Sequence, residues 1–327
     1  MSHRPPRWGL TVPLAGVPLA DHGPLLKRAE EVGYADLWSG ESATGADGFT
    51  PLALAATATK RMRLVTGVVN PFTRGPGVLA QTAAALQEAS GGRFVLGLGA
   101  SSDVIVERFN DRSFERPLSA VREAVERLRP VLQTPDGRGF GGLRLERPPP
   151  APIPIVLAAL RGTMLALAGE MADGAFTNFL PRSGLEQVVA ALREGERAAG
   201  RPPGAVELAC RFFLVPGPPD QGLAFARHMF AAYASVPVYT AFFQWLGWSE
   251  QIADMVAAYV TGDRDRAAAL APEELIREVF VFGSPREQRE RLLDFAAGGI
   301  ETLVLTFIAP APAVPDLIEH LSPRAWE

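Results

Sequence analysis

Short apolar runs recur along the chain, each followed by a longer stretch in which Ala and Leu share a helical face with Arg and Glu opposite. A brief apolar run bounded by turn formers marks a buried strand, and a 3.6-residue apolar period marks a helix packed on it. The pattern predicts strands at 8–12, 34–39, 62–69, 94–99, 153–159, 174–178, 206–215 and 302–307. Helices are predicted at 22–33, 51–60, 78–90, 117–132, 161–172, 184–199, 285–297 and 313–321. In the first of these, Leu25, Leu26 and Ala29 share one face and Gly33 supplies the stop.

Eight strands alternating with eight helices predict an α/β fold, a (β/α)8 TIM barrel, with a doubly wound sheet as the alternative. Two stretches break the rhythm. The Gly/Pro-rich segment 135–151 suits a short hairpin or surface loop, because the alternation resumes directly after it. The segment 217–280, after the seventh strand, is too long for an ordinary βα loop and contains helical stretches and the aromatic cluster TAFFQWLGW. It reads as a helical insertion within one barrel domain spanning 1–327. Its expected role is to cover the barrel mouth and set substrate choice, or to offer exposed aromatics to a subunit interface such as that of a homodimer.

Composition narrows the function. With 327 residues and 47% hydrophobic content the chain can bury a large core. A net charge of -4 with both signs interspersed provides no positive field for a polyanion, so nucleic acid is not an expected partner. A single cysteine and four histidines give neither a disulfide framework nor metal-ligand spacing. The first residues lack the apolar run of a signal peptide, and nowhere is there a run of membrane-span length. The expectation is a soluble cytoplasmic protein with no membrane partner.

In such a barrel chemistry sits where strands end at the C-terminal face, so the residues after each run are the candidates. They are Thr11 and Pro13; Ser39, Glu41 and Ser42; Gly67, Val68 and Asn70; Gly99, Ala100, Ser101 and Ser102; Leu160, Arg161, Gly162, Thr163 and Met164; Thr177 and Asn178; 211–213; and 306–308. Glu41 is the only carboxylate in this set, and Arg161 and Arg211 the only cations. No Ser/His/Asp set or carboxylate cluster appears, which favours chemistry supplied by an organic cofactor. Gly162 and Thr163 either offer N–H groups and a hydroxyl to a phosphate, with Arg161 adding charge, or simply start a helix. Glu41 is either a solvated loop carboxylate or a contact to a cofactor ring. Trp38 reads as core, Cys210 as a buried inert thiol within a strand, and His22, His228 and His320 as lying away from the mouth. The run GGRFVLGLGASS is no dinucleotide fingerprint, since Ser102 stands where the third glycine would be.

Four blocks in order, AEEVGYADLWSGES (29–42), ATKRMRLVTGVVNPFTRGPGVLAQTAAALQEASGGRFVLGLGAS (58–101), PIPIVLAALRGTMLALAGEMADGAFTNF (152–179) and GSPREQRERLLDFAAGGIETLVLTF (283–307), resemble the bacterial luciferase-like superfamily. Within it the resemblance is to the coenzyme F420-dependent oxidoreductase branch. It implies a deazaflavin held at the strand C-termini, backed by a bulge after the third strand that often carries a cis non-proline peptide, here matched by Gly67-Val68. It further implies a phosphate site on the loops after strands four and five, matched by 99–102 and 160–164.

The resemblance has two informative departures: Glu41-Ser42 stands where many deazaflavin relatives have Asp-His, and Ser102 where the sugar-phosphate dehydrogenases have a glutamate. A glucose-6-phosphate dehydrogenase is thereby disfavoured. What the resemblance implies is hydride transfer between the deazaflavin C5 and a small organic substrate, with Glu41 and Ser42 at the reactive face and the cofactor held by 67, 68, 70, 99–102, 160–164 and Asn178. The alternatives are an FMN-dependent monooxygenase and a flavin- or deazaflavin-binding protein without turnover.

Overall fold

The computed structural model describes residues 5–41 and 45–326. Its strands are β1 (Arg7–Val12), β2 (Asp36–Ser39), β3 (Arg63–Thr66), β4 (Phe94–Leu98), β5 (Ile155–Ala158), β6 (Gly174–Asn178), β7 (Glu207–Pro216), β8 (Phe280–Gly283) and β9 (Thr302–Phe307). The helices are α1 (His22–Glu31), α2 (Thr50–Ala58), α3 (Pro76–Ala89), α4 (Pro117–Gln133), α5 (Gly162–Met171), α6 (Leu185–Ala198), α7 (Pro219–Ala234), α8 (Pro237–Trp245), α9 (Ser249–Val260), α10 (Arg264–Leu270), α11 (Glu273–Val279), α12 (Pro285–Ala297) and α13 (Val314–His320).

The first seven strands pair in sequence, β7 pairs with β9, and β9 returns to β1, every pairing parallel. This is the expected closed eight-stranded barrel, a TIM barrel, with helices around it. β8, a ninth strand among the described residues, lies outside the eight predicted ones. β7 is ten residues long; β6 pairs with it as far as Arg211, and β8 takes over along 213–216. No turn former separates the end of α11 from the run FVFG, so periodicity alone hides where helix ends and strand begins.

Inside the barrel, Trp38, Val65, Val95, Val156, Phe176, Ala209 and Val304 form one packed cluster, and the Trp38 and Phe176 rings stack at 4.6 Å. Gly9 makes room for the indole, since a Cβ there would lie 3.1 Å from Trp38 Cδ1. The floor beneath is charged and closed. Arg63 donates to Asp36 (2.6 and 2.8 Å) and to Glu207 (2.8 and 2.9 Å), Arg7 donates to Asp36 at 3.0 Å, and Thr302 donates its hydroxyl to Glu207. Although burial alone would raise the Glu207 pKa, the Arg63 guanidinium holds it below its ordinary value.

Outside the strands, Glu30 closes the turn from α2 into β3. Its carboxylate accepts the backbone N–H groups of Lys60, Arg61 and Met62 at 2.6–3.1 Å. Burial opposes its ionisation, and these three donors overcome that and lower its pKa. Glu30→Ala strips three N–H groups of their acceptor and is expected to cost about 2–3 kcal/mol in urea unfolding at pH 7. A loss under half that size would mean water replaces the carboxylate.

Between β7 and β8, helices α7 to α11 pack on Phe230, Phe242, Phe243, Ile252 and Met255, all fully buried and continuous with the core between the barrel and its helices. The expectation of exposed aromatics at 242–245 is therefore corrected. Phe242 and Phe243 face the neighbouring helices and Trp245 is half-buried, because five short helices need large side chains to fill the space between them. The segment's two ends meet at Gly217 and Gly283, which exchange N–H···O bonds of 3.1 and 2.8 Å. Between 135 and 151, a bridge between Arg138 and Arg144 makes the expected small surface hairpin. No helix among the described residues is long and apolar enough to cross a membrane.

Candidate active site

The rim opens on a bulge. From the Val65/Val95 pair to the Val69/Leu98 bridge, the chain after β3 spends four residues against three on β4. The Gly67–Val68 peptide between them is cis. Hydrogen bonds on both sides hold it: Gly67 N–H to Ser39 O (2.7 Å), Glu41 N–H to Val68 O (3.1 Å) and Gly99 N–H to Val69 O (2.9 Å). A bulge of this kind re-aims backbone and side chain at a barrel rim, and here Val68 leans over β4. A Cβ on Gly99 would sit 2.6 Å from Val68 Cγ2 and 2.9 Å from Ala158 Cβ, and one on Gly67 would sit 2.9 Å from Trp38 Cε3. The β3, β4 and β5 ends thus form a smooth wall of Gly67, Val68, Gly99 and Ala158 above the Trp38/Phe176 floor. A flat ring fits such a wall, because no side chain other than Val68 stands up from it.

The β2 end closes this wall with charge. Glu41 accepts from Arg74 Nε at 2.8 Å and from Asn70 Nδ2 at 3.4 Å, and Arg74 also approaches Asp47 at 3.7 Å. Asn70 spends its carbonyl oxygen on Phe72 N–H, Thr73 N–H and the Thr73 hydroxyl, so it shapes the loop as well as touching Glu41. Glu41 is thus an ion-paired group, not the solvated loop carboxylate that was one of its two readings. Ser42 lies outside the described residues.

The loops after β4 and β5 sit side by side, since their strands pair. Ser101 adopts a left-handed backbone (φ 67°), and the Ser102 hydroxyl accepts from Ile105 N–H at 3.4 Å at the start of a π-helical turn, Val104–Arg108. Ala100, Leu160 and Met164 are half-buried against the core. Arg161 and Thr163 are exposed, and α5 begins without a side-chain cap. Gly162 takes a positive φ of 40° with open space where a Cβ would be.

The opposite side of the mouth is polar. Thr11 and Thr306 hydroxyls are 2.7 Å apart. Arg211 on β7 donates from Nε to Asn178 Oδ1 at 3.2 Å, and Asn178 donates from Nδ2 to Tyr239 Oη at 2.9 Å. Tyr239 comes from α8, so this relay ties the inserted helices to the barrel. Rings reinforce it: Phe179 lies 4.6 Å from Phe213, 4.5 Å from Tyr233 and 5.6 Å from Tyr239. Burial pushes the Tyr239 phenol up.

The structure thus brings Gly67, Val68 and Gly99 together, joins Glu41 to Asn70, and sets Asn178 apart from both, across the mouth. Two residues that no sequence reasoning singled out matter here. Arg74 follows a turn-rich stretch and gave no signal, whereas Tyr239 directly precedes the aromatic cluster TAFFQWLGW, whose distance from the rim was not legible. His22, expected away from the mouth, accepts from Leu14 N–H at 2.8 Å and so fastens the loop after β1. Cys210 is fully buried and its thiol is pushed well up by that burial, which leaves it inert as expected.

Comparison with known proteins adds four findings. The sequence profile described as luciferase-like monooxygenase matches residues 5–302. A Mycobacterium tuberculosis protein provisionally named a coenzyme F420-dependent oxidoreductase is 28% identical over 317 residues, covering 88% of this chain and 91% of its own. Among solved structures, the coenzyme F420-dependent tetrahydromethanopterin reductase of Methanopyrus kandleri superposes with a TM-score of 0.79 at 21% identity, over 98% of each chain. A monooxygenase of Streptomyces bottropensis superposes with a TM-score of 0.68 at 22% identity, again over 98% of each chain.

Proposed function

The chain belongs to the luciferase-like monooxygenase family and is an oxidoreductase; from that premise we propose that it uses coenzyme F420 to move a hydride to or from a small organic substrate. The observation that carries the reading is the wall of Gly67, Val68, Gly99 and Ala158 above Trp38, from which Val68 alone projects and which suits a planar tricycle. The name of the full-length mycobacterial relative supports F420 over other flavins. When bound, a deazaflavin supplies a two-electron hydride carrier at its C5 carbon.

Everything else falls to the protein. Val68 and Gly99 support one face of the ring, and the β4 and β5 loops, with Ser101, Ser102, Arg161, Gly162 and Thr163, receive the phosphate-bearing end at the start of α5. Leu160, Met164 and Ala100 shield that end with apolar surface. Glu41, held by Arg74 and Asn70, orients the ring edge, while Ser42 is its proposed neighbour at the reactive face. Thr11, Thr306, Asn178 and Arg211 remain for the substrate.

The second reading is an FMN-dependent monooxygenase, favoured by the likeness to the Streptomyces bottropensis enzyme. Parallel titration decides between them. F420 is expected to saturate the protein at a concentration at least about tenfold below FMN, a difference of about 1.4 kcal/mol. Tight FMN binding with rapid oxygen consumption after reduction, and no affinity for F420, would establish the monooxygenase instead.

A further inference from the structure

Among the described residues, Arg7, Arg63 and Arg211 point into the barrel, and they are treated differently. Arg7 and Arg63, on the floor, are neutralised by Asp36 and Glu207. Arg211, two residues above lumen-facing Ala209 on β7, has no carboxylate within ion-pair distance among the described residues. The rim carboxylate Glu41 is already taken by Arg74. A partly buried cation with no counter-ion is costly unless a ligand provides one.

Its fork is also aimed. Nε is held by Asn178 Oδ1, Asn178 is held by Tyr239 Oη, and the guanidinium carbon lies 5.0 Å from the centre of the Phe213 ring. With Nε engaged and the group fixed against an aromatic face, the edge formed by the two terminal nitrogens is left without a protein partner among the described residues. That edge matches the two oxygens of a carboxylate at the spacing of a bidentate pair. The Thr11/Thr306 hydroxyl pair is reached from the same strands, since Thr306 pairs with Phe213 and Arg211 with Val304 in the β7–β9 register.

We propose that Arg211, aimed by Asn178 and Tyr239, anchors a carboxylate of the substrate, so that the enzyme acts on small organic acids. This rests on the reading of the mouth as an F420 site, with the acid lying on the polar side across from the glycine wall. Arg211 is then a specificity-determining residue, and α8 of the inserted helices is the element that positions it.

The test uses the F420-loaded full-length protein with benzoate and butyrate as probes, and benzamide as the uncharged control, followed by calorimetry and by the coenzyme's fluorescence. At least one carboxylate is expected to bind, with benzamide bound at least about tenfold more weakly. Arg211→Gln is expected to weaken that carboxylate at least tenfold while its F420 affinity and melting temperature match the parent's. Arg211→Lys, which keeps the charge and loses the fork, is expected to fall between. Tyr239→Phe is expected to weaken carboxylate binding less than Arg211→Gln does. Equal binding of benzoate and benzamide, no binding of either acid by the loaded parent, or an Arg211→Gln variant that binds the acid as the parent does would each overturn the proposal. Failure of the parent to bind F420 would instead overturn the cofactor reading, and the acid titration repeated on the unloaded protein keeps the two apart.

Discussion

Replacing Arg63 by methionine is expected to lower the free energy of unfolding by about 3 kcal/mol at pH 7, because it leaves the fully buried Asp36 and the half-buried Glu207 on the barrel floor with Arg7 as the cation left beside them. The pH dependence gives the expectation a sign. In the parent, Glu207 has a folded pKa below its unfolded value, so its contribution is present above the unfolded pKa and is lost as pH falls through the folded one. In the variant the burial that already opposes its ionisation is no longer overcome by Arg63. Its folded pKa therefore moves up toward the unfolded value, and the stability that depends on its ionisation shrinks. The gap between parent and variant should therefore narrow as pH falls from 7 to about 3 in urea titrations. A gap that is constant across that range would show that packing, not charge, carries the floor.

Gly99→Val tests the wall. The added side chain would start 2.6 Å from Val68 Cγ2 and 2.9 Å from Ala158 Cβ, so Val68 must be displaced toward the space assigned to the ring. Overpacking of this kind costs about 1–3 kcal/mol, and if it falls on the bound state F420 affinity drops by up to about a hundredfold. The measurement is F420 titration together with thermal melting of the unloaded protein. Affinity unchanged at an unchanged melting temperature would remove Gly99 from the cofactor site.

Most of the barrel was legible because each of its eight strands is an apolar run next to a helix with an apolar stripe, two periods that do not imitate each other. β8 was not legible. Four apolar residues that follow a helix without a turn former look like its last turn, and only the overhanging edge of β7 makes them a strand. β3 ended earlier than its apolar run, since a bulge changes register without changing hydrophobicity.

The candidate site divided along similar lines. Gly67, Val68 and Gly99 follow strands on one side of the barrel and could be placed by counting. Arg74 and Tyr239 act through loops and inserted helices, whose approach to the rim depends on tertiary packing. Arg211 was within reach, as one of two rim cations, but its lack of a carboxylate is a fact of three dimensions: sequence shows the charges and not which of them are already paired.

The Gly217–Gly283 pair has a consequence for how this protein tolerates change. Five helices leave and rejoin the barrel at adjacent points joined by two hydrogen bonds, so backbone alone holds the stem, and Tyr239 of α8 adds a side-chain tie to the rim. Lengthening or shortening a loop whose ends are already held together adds little closure entropy. Changes of length in the segment that spare the Tyr239 tie are therefore expected to leave the glycine wall across the barrel in register.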